Sequence, residues 1–193
     1  MKTSNGFTLI EMIVVISIFT VMTGVVLANL PQFRDQTALQ LVAQKMSITI
    51  REAQVYGVGV KYFTIGSDFP SHGINFDDLS VPSNKKSYVL FADSNKNNIY
   101  NSPNELVIGY DLTGAVEIFT IKACNPNCDV DLSNLGLNIV FERPNTEANF
   151  RSLSGSVIIA SYVEITLRST RSGKTRAVQV WNTGQISVKN QAP

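Results

Sequence analysis

The side chain best placed for unusual chemistry in this 193-residue chain is an acid near its start, Glu11. It is the single charged residue between Phe7 and Leu30, a stretch that is otherwise mostly apolar. A carboxylate inside hydrocarbon costs about 2.5 kcal/mol or more, so such an acid indicates a function and needs a partner of opposite charge. The nearest candidate is an α-amino group at Phe7, about one helical turn away, if the chain is cut after Gly6.

A second group of oxygen-bearing side chains lies between residues 93 and 105. The candidate calcium ligands are Asp93, Asn95, Asn97 and Glu105. The first three follow the i, i+2, i+4 spacing with which a calcium loop aims its ligands inward. However, Asn98 stands where glycine usually makes the sharp turn, and Lys96 adds positive charge nearby. The alternative, which we favour, is a turn whose Asx side chains bond their own backbone. We therefore expect no cofactor, with calcium as the competing interpretation.

The two cysteines, Cys124 and Cys128, are separated by three residues with Pro126 at the centre. In an exported domain such a pair is expected to form a disulfide that closes a tight loop, and free thiols are the alternative. A zinc site would need four ligands, and the chain offers one histidine and no second cysteine pair.

That histidine, His72, follows Pro70 and Ser71 in a turn-rich segment, so we expect it in a surface loop. A general base needs partners that the sequence does not place. The chain also lacks a Ser-His-Asp set and a phosphate-binding glycine loop. The sequence therefore predicts no enzyme activity.

Positive charge is concentrated near the C-terminus. Residues 151–193 contain six basic side chains against one acid, a balance of +5, although the whole chain carries only +1. Four of these cations surround a Ser-Gly turn: Arg168, Arg171, Lys174 and Arg176. A hairpin tip could present them to the phosphates of a nucleic acid, and the alternative is an ordinary solvated hairpin.

The element that must position Glu11 is a helix over residues 7–30, preceded by a short polar leader, residues 1–6. At about 1.5 Å per residue, 24 residues reach roughly 36 Å, which is enough to cross the hydrocarbon of a bilayer. Lys2 would keep the leader in the cytoplasm. A secretory signal peptide cut after Ala28 is one alternative, but its apolar region would be shorter; a plain membrane anchor is the other.

The helical pattern continues to about Tyr56 and ends near Gly57 and Gly59, and Pro31 is expected to kink or loosen it. One broad apolar face should pack on a sheet: Ala38, Leu39, Val42, Met46, Thr49, Ile50, Ala53 and Tyr56. A second, narrow apolar line consists of Leu41, Ile48 and Val55. That line indicates either packing at the edge of the core or contact with the helices of neighbouring subunits.

Nine segments rich in β-branched and aromatic residues follow, separated by turn-forming residues. They span residues 60–65, 73–76, 87–92, 105–111, 116–122, 137–142, 157–168, 176–182 and 185–189. The prediction is an α+β fold in which a long N-terminal helix, transmembrane in its first half and amphipathic in its second, packs on a largely antiparallel sheet. Residues 31–193 would form the exported domain.

The stretch Gly6-Phe7-Thr8-Leu9-Ile10-Glu11, followed by an apolar helix, resembles the signal of type IV pilins and type II secretion pseudopilins. The resemblance implies cleavage after Gly6 by a prepilin peptidase, N-methylation of Phe7, and neutralisation of a neighbouring subunit's N-terminus by Glu11. It also implies a single-pass protein of the bacterial cytoplasmic membrane. Its partners would be other pilins or pseudopilins and an inner-membrane assembly platform.

The loop between residues 93 and 105 and the closing hairpin, residues 173–188, are similar to minor pseudopilins of the GspH/FimT type. Some FimT-like pilins are associated with DNA uptake through a basic C-terminal motif. The corresponding stretch here, Gly184-Gln185-Ile186-Ser187, lacks its arginines. A structural subunit is therefore the first expectation, and a filament-tip subunit that binds DNA or a surface is the alternative.

Overall fold

The computed structural model describes residues 6–59, 61–63 and 69–190. Its first element is one long helix, α1, Leu9–Val58. Pro31 lies inside this helix without ending it. The predicted loosening at Pro31 therefore does not interrupt α1, although the missing proline N–H still removes one bond from the helical ladder. Residues 1–5 of the predicted leader lie outside the described part of the chain.

The two halves of α1 lie in different surroundings. In the first half, from Leu9 to Leu27, the large apolar side chains are between 48% and 78% exposed. The helix contains an 18-residue window with a mean hydropathy of 2.4, none of it buried. It is long and apolar enough to cross a membrane. An apolar surface of this size in water is unfavourable, so the first half needs another environment.

The second half of α1 buries the face that its periodicity predicts. Leu39, Val42, Met46, Ile50 and Ala53 are at most 7% exposed. These side chains join the core shared with strands of the β-domain. The prediction of an amphipathic second half is therefore confirmed.

The narrow line on the other side of α1 stays in solvent. Leu41, Ile48 and Val55 are 65%, 68% and 59% exposed. Packing at the edge of the core is thus excluded for these three residues, because the domain does not cover them. They remain available for contacts outside this chain.

Ten strands and a short 3-10 helix, Pro82–Lys86, follow α1 in the described residues. The strands are β1 Ser71–Phe76, β2 Ser87–Asp93, β3 Leu106–Asp111, β4 Val116–Cys124, β5 Val130–Asp131, β6 Leu137–Phe141, β7 Ala148–Arg151, β8 Tyr162–Ser169, β9 Thr175–Trp181 and β10 Ile186–Asn190. They form two antiparallel five-stranded sheets, in the orders β3-β2-β1-β6-β7 and β10-β9-β8-β4-β5. The predicted α+β architecture is confirmed, with two sheets where one was expected.

The end of α1 is fastened to both sheets. Gln54 donates through Nε2 to the carbonyl of Thr146, at 2.9 Å, and to that of Gly184, at 3.1 Å. Thr146 precedes β7 of the first sheet, and Gly184 lies in the turn between β9 and β10 of the second. Gly57 touches the backbone of Phe141 so closely that no side chain would fit there. These contacts fix the helix axis relative to both sheets.

Most predicted strands occur in the structure, but their ends differ. The first prediction, residues 60–65, is wrong for residues 61–63, which are not strand, and its other members lie outside the described residues. The segment 157–168 becomes strand only from Tyr162. Two short strands, β5 and β7, were missed because two and four residues are too few to show a period of two.

The prediction of a surface position for His72 is wrong. His72 lies in β1 and is 1% exposed. Its ring meets Tyr56 of α1 edge-on, with centroids 5.6 Å apart, and Nδ1 lies 3.1 Å from the carbonyl oxygen of Pro70. Burial lowers the pKa of His72 to about 4, partly opposed by that hydrogen bond, so the ring is neutral at pH 7.

We predict that acidification destabilises the chain through His72. At pH values between the ordinary pKa of 6.5 and the lowered pKa of about 4, His72 is protonated in the unfolded chain but neutral in the folded chain. Lowering the pH from 7 to about 4.5 should therefore remove about 2–3 kcal/mol of unfolding free energy. Thermal unfolding of the detergent-solubilised protein, followed by Trp181 fluorescence, measures this effect.

His72→Asn is the comparison, because it keeps an N–H donor and removes the titration. The variant will be less stable at every pH, but its stability should fall less steeply with acid. The carboxylates titrate in both proteins, so the difference in slope isolates His72. Equal slopes for the two proteins would contradict the prediction.

Candidate functional site

The start of α1 is built by Thr8 and Glu11. The backbone N–H of Glu11 donates to Thr8 Oγ1 at 3.3 Å, and the backbone N–H of Thr8 donates to Glu11 Oε2 at 3.4 Å. This reciprocal arrangement is a capping box, which satisfies two N–H groups that a helix start otherwise leaves unpaired. The sequence analysis missed this role, although Thr-x-x-Glu ahead of an apolar run is its recognised pattern.

Glu11 lies on an exposed and otherwise apolar surface. Its neighbours Leu9, Ile10, Met12 and Ile13 are between 51% and 78% exposed. Phe7 precedes the helix and is 79% exposed. The cap therefore accounts for a hydrogen-bonding acid at this position, and among the described residues the carboxylate has no counter-charge.

The loop between β2 and β3 is organised around the carboxylate of Asp93. This side chain is fully buried, and its two oxygens accept from the backbone N–H groups of Asn97, at 3.0 Å, and Asn98, at 2.8 Å. Asn95 Oδ1 also accepts from Asn97 N, and Asn97 Oδ1 accepts from Ile99 N. The candidate ligands thus bond the loop's own backbone, as an Asx-rich turn requires.

The far end of the same loop is held by Glu105. Its Oε1 accepts from Ser94 Oγ at 3.2 Å, and its Oε2 accepts from Asn101 N at 2.7 Å. Burial raises the pKa of Asp93, and the nearby Glu105 charge acts in the same direction. Within the described residues, no three His, Cys, Asp or Glu side chains are placed to share a metal ion. The contacts of these side chains are those of a self-bonded turn, and the competing calcium interpretation stays a prediction.

The cysteines lie at the end of β4. Cys124 and Cys128 form a disulfide, with Cα atoms 4.0 Å apart. The loop that they enclose is also closed by Asn125 N donating to the Asn127 carbonyl at 2.9 Å. Asn125 in turn accepts from Ser161 Oγ at 2.8 Å. The disulfide thus closes a short loop at the end of β4, and the Ser161 hydrogen bond holds that loop against the start of β8.

The four candidate DNA-binding cations do not form one set. Arg168 donates to Glu117 Oε1 through Nη2 at 2.7 Å and through Nε at 3.2 Å, and its guanidinium lies 3.9 Å from the centre of the Phe119 ring. Strand register explains the pairing, because Glu117 of β4 lies directly opposite Arg168 of β8. The guanidinium of Arg168 is therefore already engaged in contacts within the domain. Arg171 and Lys174 lie in the exposed turn after β8.

We predict that the Asp93 loop does not need calcium. Asp93→Ala should lower the unfolding free energy by about 2–3 kcal/mol, because two N–H groups lose a buried acceptor. The exposed Asp111→Asn serves as a matched control and should have little effect. Thermal unfolding with excess calcium and with a chelator should give the same midpoint for the wild type.

A bound ion would behave differently, since calcium at a hundred times its Kd would add about 2.7 kcal/mol by mass action. A calcium-dependent rise in midpoint that Asp93→Asn abolishes would therefore establish a metal site and overturn the prediction.

Residues 1–27 match a family model described as a prokaryotic N-terminal methylation motif. No curated protein matches the chain. No solved structure matches it. The motif indicates a structural subunit rather than an enzyme, and implies assembly with other pilins and processing by a prepilin peptidase in general. Together with the exposed apolar half of α1, it supports a processed, membrane-anchored subunit of the type IV pilin or pseudopilin type.

Proposed function

We propose that this chain is a minor pilin or pseudopilin of the GspH/FimT type, a single-pass protein of the cytoplasmic membrane that assembles into a filament through α1. The observation that carries the proposal is the division of one continuous helix into a bare apolar half and a packed half. A bilayer can cover the bare half before assembly, and neighbouring helices can cover it afterwards. Either environment removes the same apolar surface of α1 from water.

The start of the chain suits proteolytic processing. Gly6 and Phe7 lie ahead of the helix and are exposed. A Cβ added at Gly6 would have no atom within 4 Å among the described residues other than its chain neighbours. The bond between the two residues is thus in non-helical backbone that a peptidase can reach. Because Thr8 caps the helix, cleavage after Gly6 would leave the capping pair intact.

In the proposed filament, Glu11 acts between subunits. Its carboxylate has a capping role in its own chain but has no counter-charge within the part of that chain that the structure describes. The N-terminal amine of a neighbouring Phe7 would supply that charge in an apolar setting. Pairing offsets part of the desolvation cost of both ions, and the free energy is gained only in the register that brings them together.

The exposed line on the packed half of α1 extends the same assembly surface. Leu41, Ile48 and Val55 recur every seven residues, the spacing at which one side of a helix meets another helix. Contact with a neighbouring subunit would remove them from water. The alternative of a DNA-binding tip subunit has less support, because Arg168 is already paired with Glu117.

We predict that the mature protein begins at Phe7. Intact-mass analysis of the membrane-extracted protein should show residues 1–6 missing and one methyl group added. Removal of the leader places the new amine four residues before Glu11. A mature N-terminus at Asn29 would instead favour the secretory signal peptide, and an uncut chain would favour a plain anchor.

We predict that Glu11→Ala inserts into the membrane but incorporates poorly into filaments. Insertion should be unimpaired because a charge leaves the hydrocarbon. Incorporation should fall more than tenfold, since leaving one partner of a buried ion pair alone costs about 3–5 kcal/mol. Cell fractionation and recovery of sheared filaments measure the two steps separately.

Two further variants separate the charge of Glu11 from its capping role. Glu11→Gln keeps an N3 side chain that can complete the capping box but loses the charge, and it should assemble at an intermediate level. Thr8→Ala removes the other half of the cap and keeps the charge, so its assembly should stay near that of the wild type. Normal assembly of Glu11→Ala, or an equal loss in Thr8→Ala, would reject the inter-subunit role.

A further inference from the structure

The turn between β8 and β9 lies beside α1 just beyond its bare half. A groove of about 390 Å³ is lined by Pro31, Gln32 and Asp35 of the helix and by Arg171, Ser172 and Lys174 of the turn. A second groove, of about 670 Å³, continues along the helix from Phe33 to Gln40 and is closed on its other side by residues 172–176. The basic turn therefore lies at the end of the packed half of α1 that is nearest to the apolar half.

Helix geometry places this turn at the level of lipid headgroups, given the membrane anchor of the proposed function. The apolar run ends at Leu30. Residues 31–35 rise about 7.5 Å beyond it, and the headgroup layer of a bilayer is about 5–8 Å thick on each side. Any tilt of the helix lowers these residues further toward the lipid. The groove that contains Pro31 and Asp35 thus lies within that layer.

The charge around the grooves is positive. Arg171, Lys174 and Arg176 are opposed by Asp35, so three cations and one carboxylate leave a formal balance of +2. Arg171 and Lys174 are exposed, and Arg176 is partly so. Phe33, which lines the larger groove, is 67% exposed and gives the patch an apolar edge. Clustered cations at this depth match an anionic interface.

We propose that this cluster, Arg171, Lys174 and Arg176, binds the phosphate groups of anionic phospholipids while the subunit is anchored in the membrane. Guanidinium groups bind phosphate oxygens in a bidentate manner, and the lysine ammonium adds a point charge. The contact holds the β-domain against the bilayer through its hairpin. It is a second attachment, separate from the helix, and it is released when the subunit leaves the lipid.

The test uses the full mature chain in lipid nanodiscs made with phosphatidylcholine alone or with added phosphatidylglycerol. Surface lysines are acetylated with a water-soluble reagent and quantified by mass spectrometry. Lys96 is the internal reference, because it is exposed in the Asp93 loop, beyond the strand ends that lie near the C-terminal end of α1. Lys174 acetylation should slow about threefold or more in the anionic discs, and high salt should reverse the protection.

Arg171→Gln should weaken the protection of Lys174 in the anionic discs. The matched control is Arg143→Gln, an exposed arginine just after β6, whose last residue Phe141 lies against Gly57 at the C-terminal end of α1; it should leave the protection unchanged. If both variants behave alike, the effect does not come from the cluster and the proposal is rejected.

The remaining outcomes separate this proposal from the proposed function. If the chain is retained in the discs but Lys174 reacts equally in both lipids, lipid binding is overturned and the membrane anchor stands. A chain that is not retained in the discs overturns both. If short duplex DNA protects Lys174 in phosphatidylcholine discs more than phosphatidylglycerol does, the cluster is a nucleic-acid site instead.

Discussion

The contact on which the rest of this structure depends is the burial of one face of α1 against both β-sheets. Met46 and Ile50 at its centre are fully buried. Truncating a side chain of this kind to alanine typically costs about 2–5 kcal/mol, a large share of the stability of a small domain. Gln54 and Gly57 then set the position of the helix end. The direction of the anchor relative to the domain follows from these contacts.

The same contacts therefore fix where every other element of the domain lies relative to the apolar half of α1. The β8–β9 turn runs toward the start of the packed half, and the loop between β2 and β3 lies toward its end. The two ends of the domain accordingly differ in chemistry. The end beside the apolar half of α1 carries the basic β8–β9 turn, whereas the far end carries a turn whose acids bond their own backbone.

The helix and its buried face could be predicted because a repeat of 3.6 residues needs no partner to be recognised. The Thr8–Glu11 cap was equally readable from its spacing. The burial of His72 was not, because it depends on Tyr56, which approaches only after the chain has folded. The pairing of Arg168 with Glu117 was hidden for a similar reason, since 51 residues separate them and strand register brings them together.

Because α1 is unbroken from Leu9 to Val58, it also transmits force along its axis. A pull on its bare half travels along the helix axis into the packed half. There the load acts as shear, parallel to the buried face, so that the contacts along it resist together. A force that peeled the helix away from one end would break the same contacts one after another. The contacts between the domain and α1 therefore resist a force along the helix axis better than a force that peels the helix away.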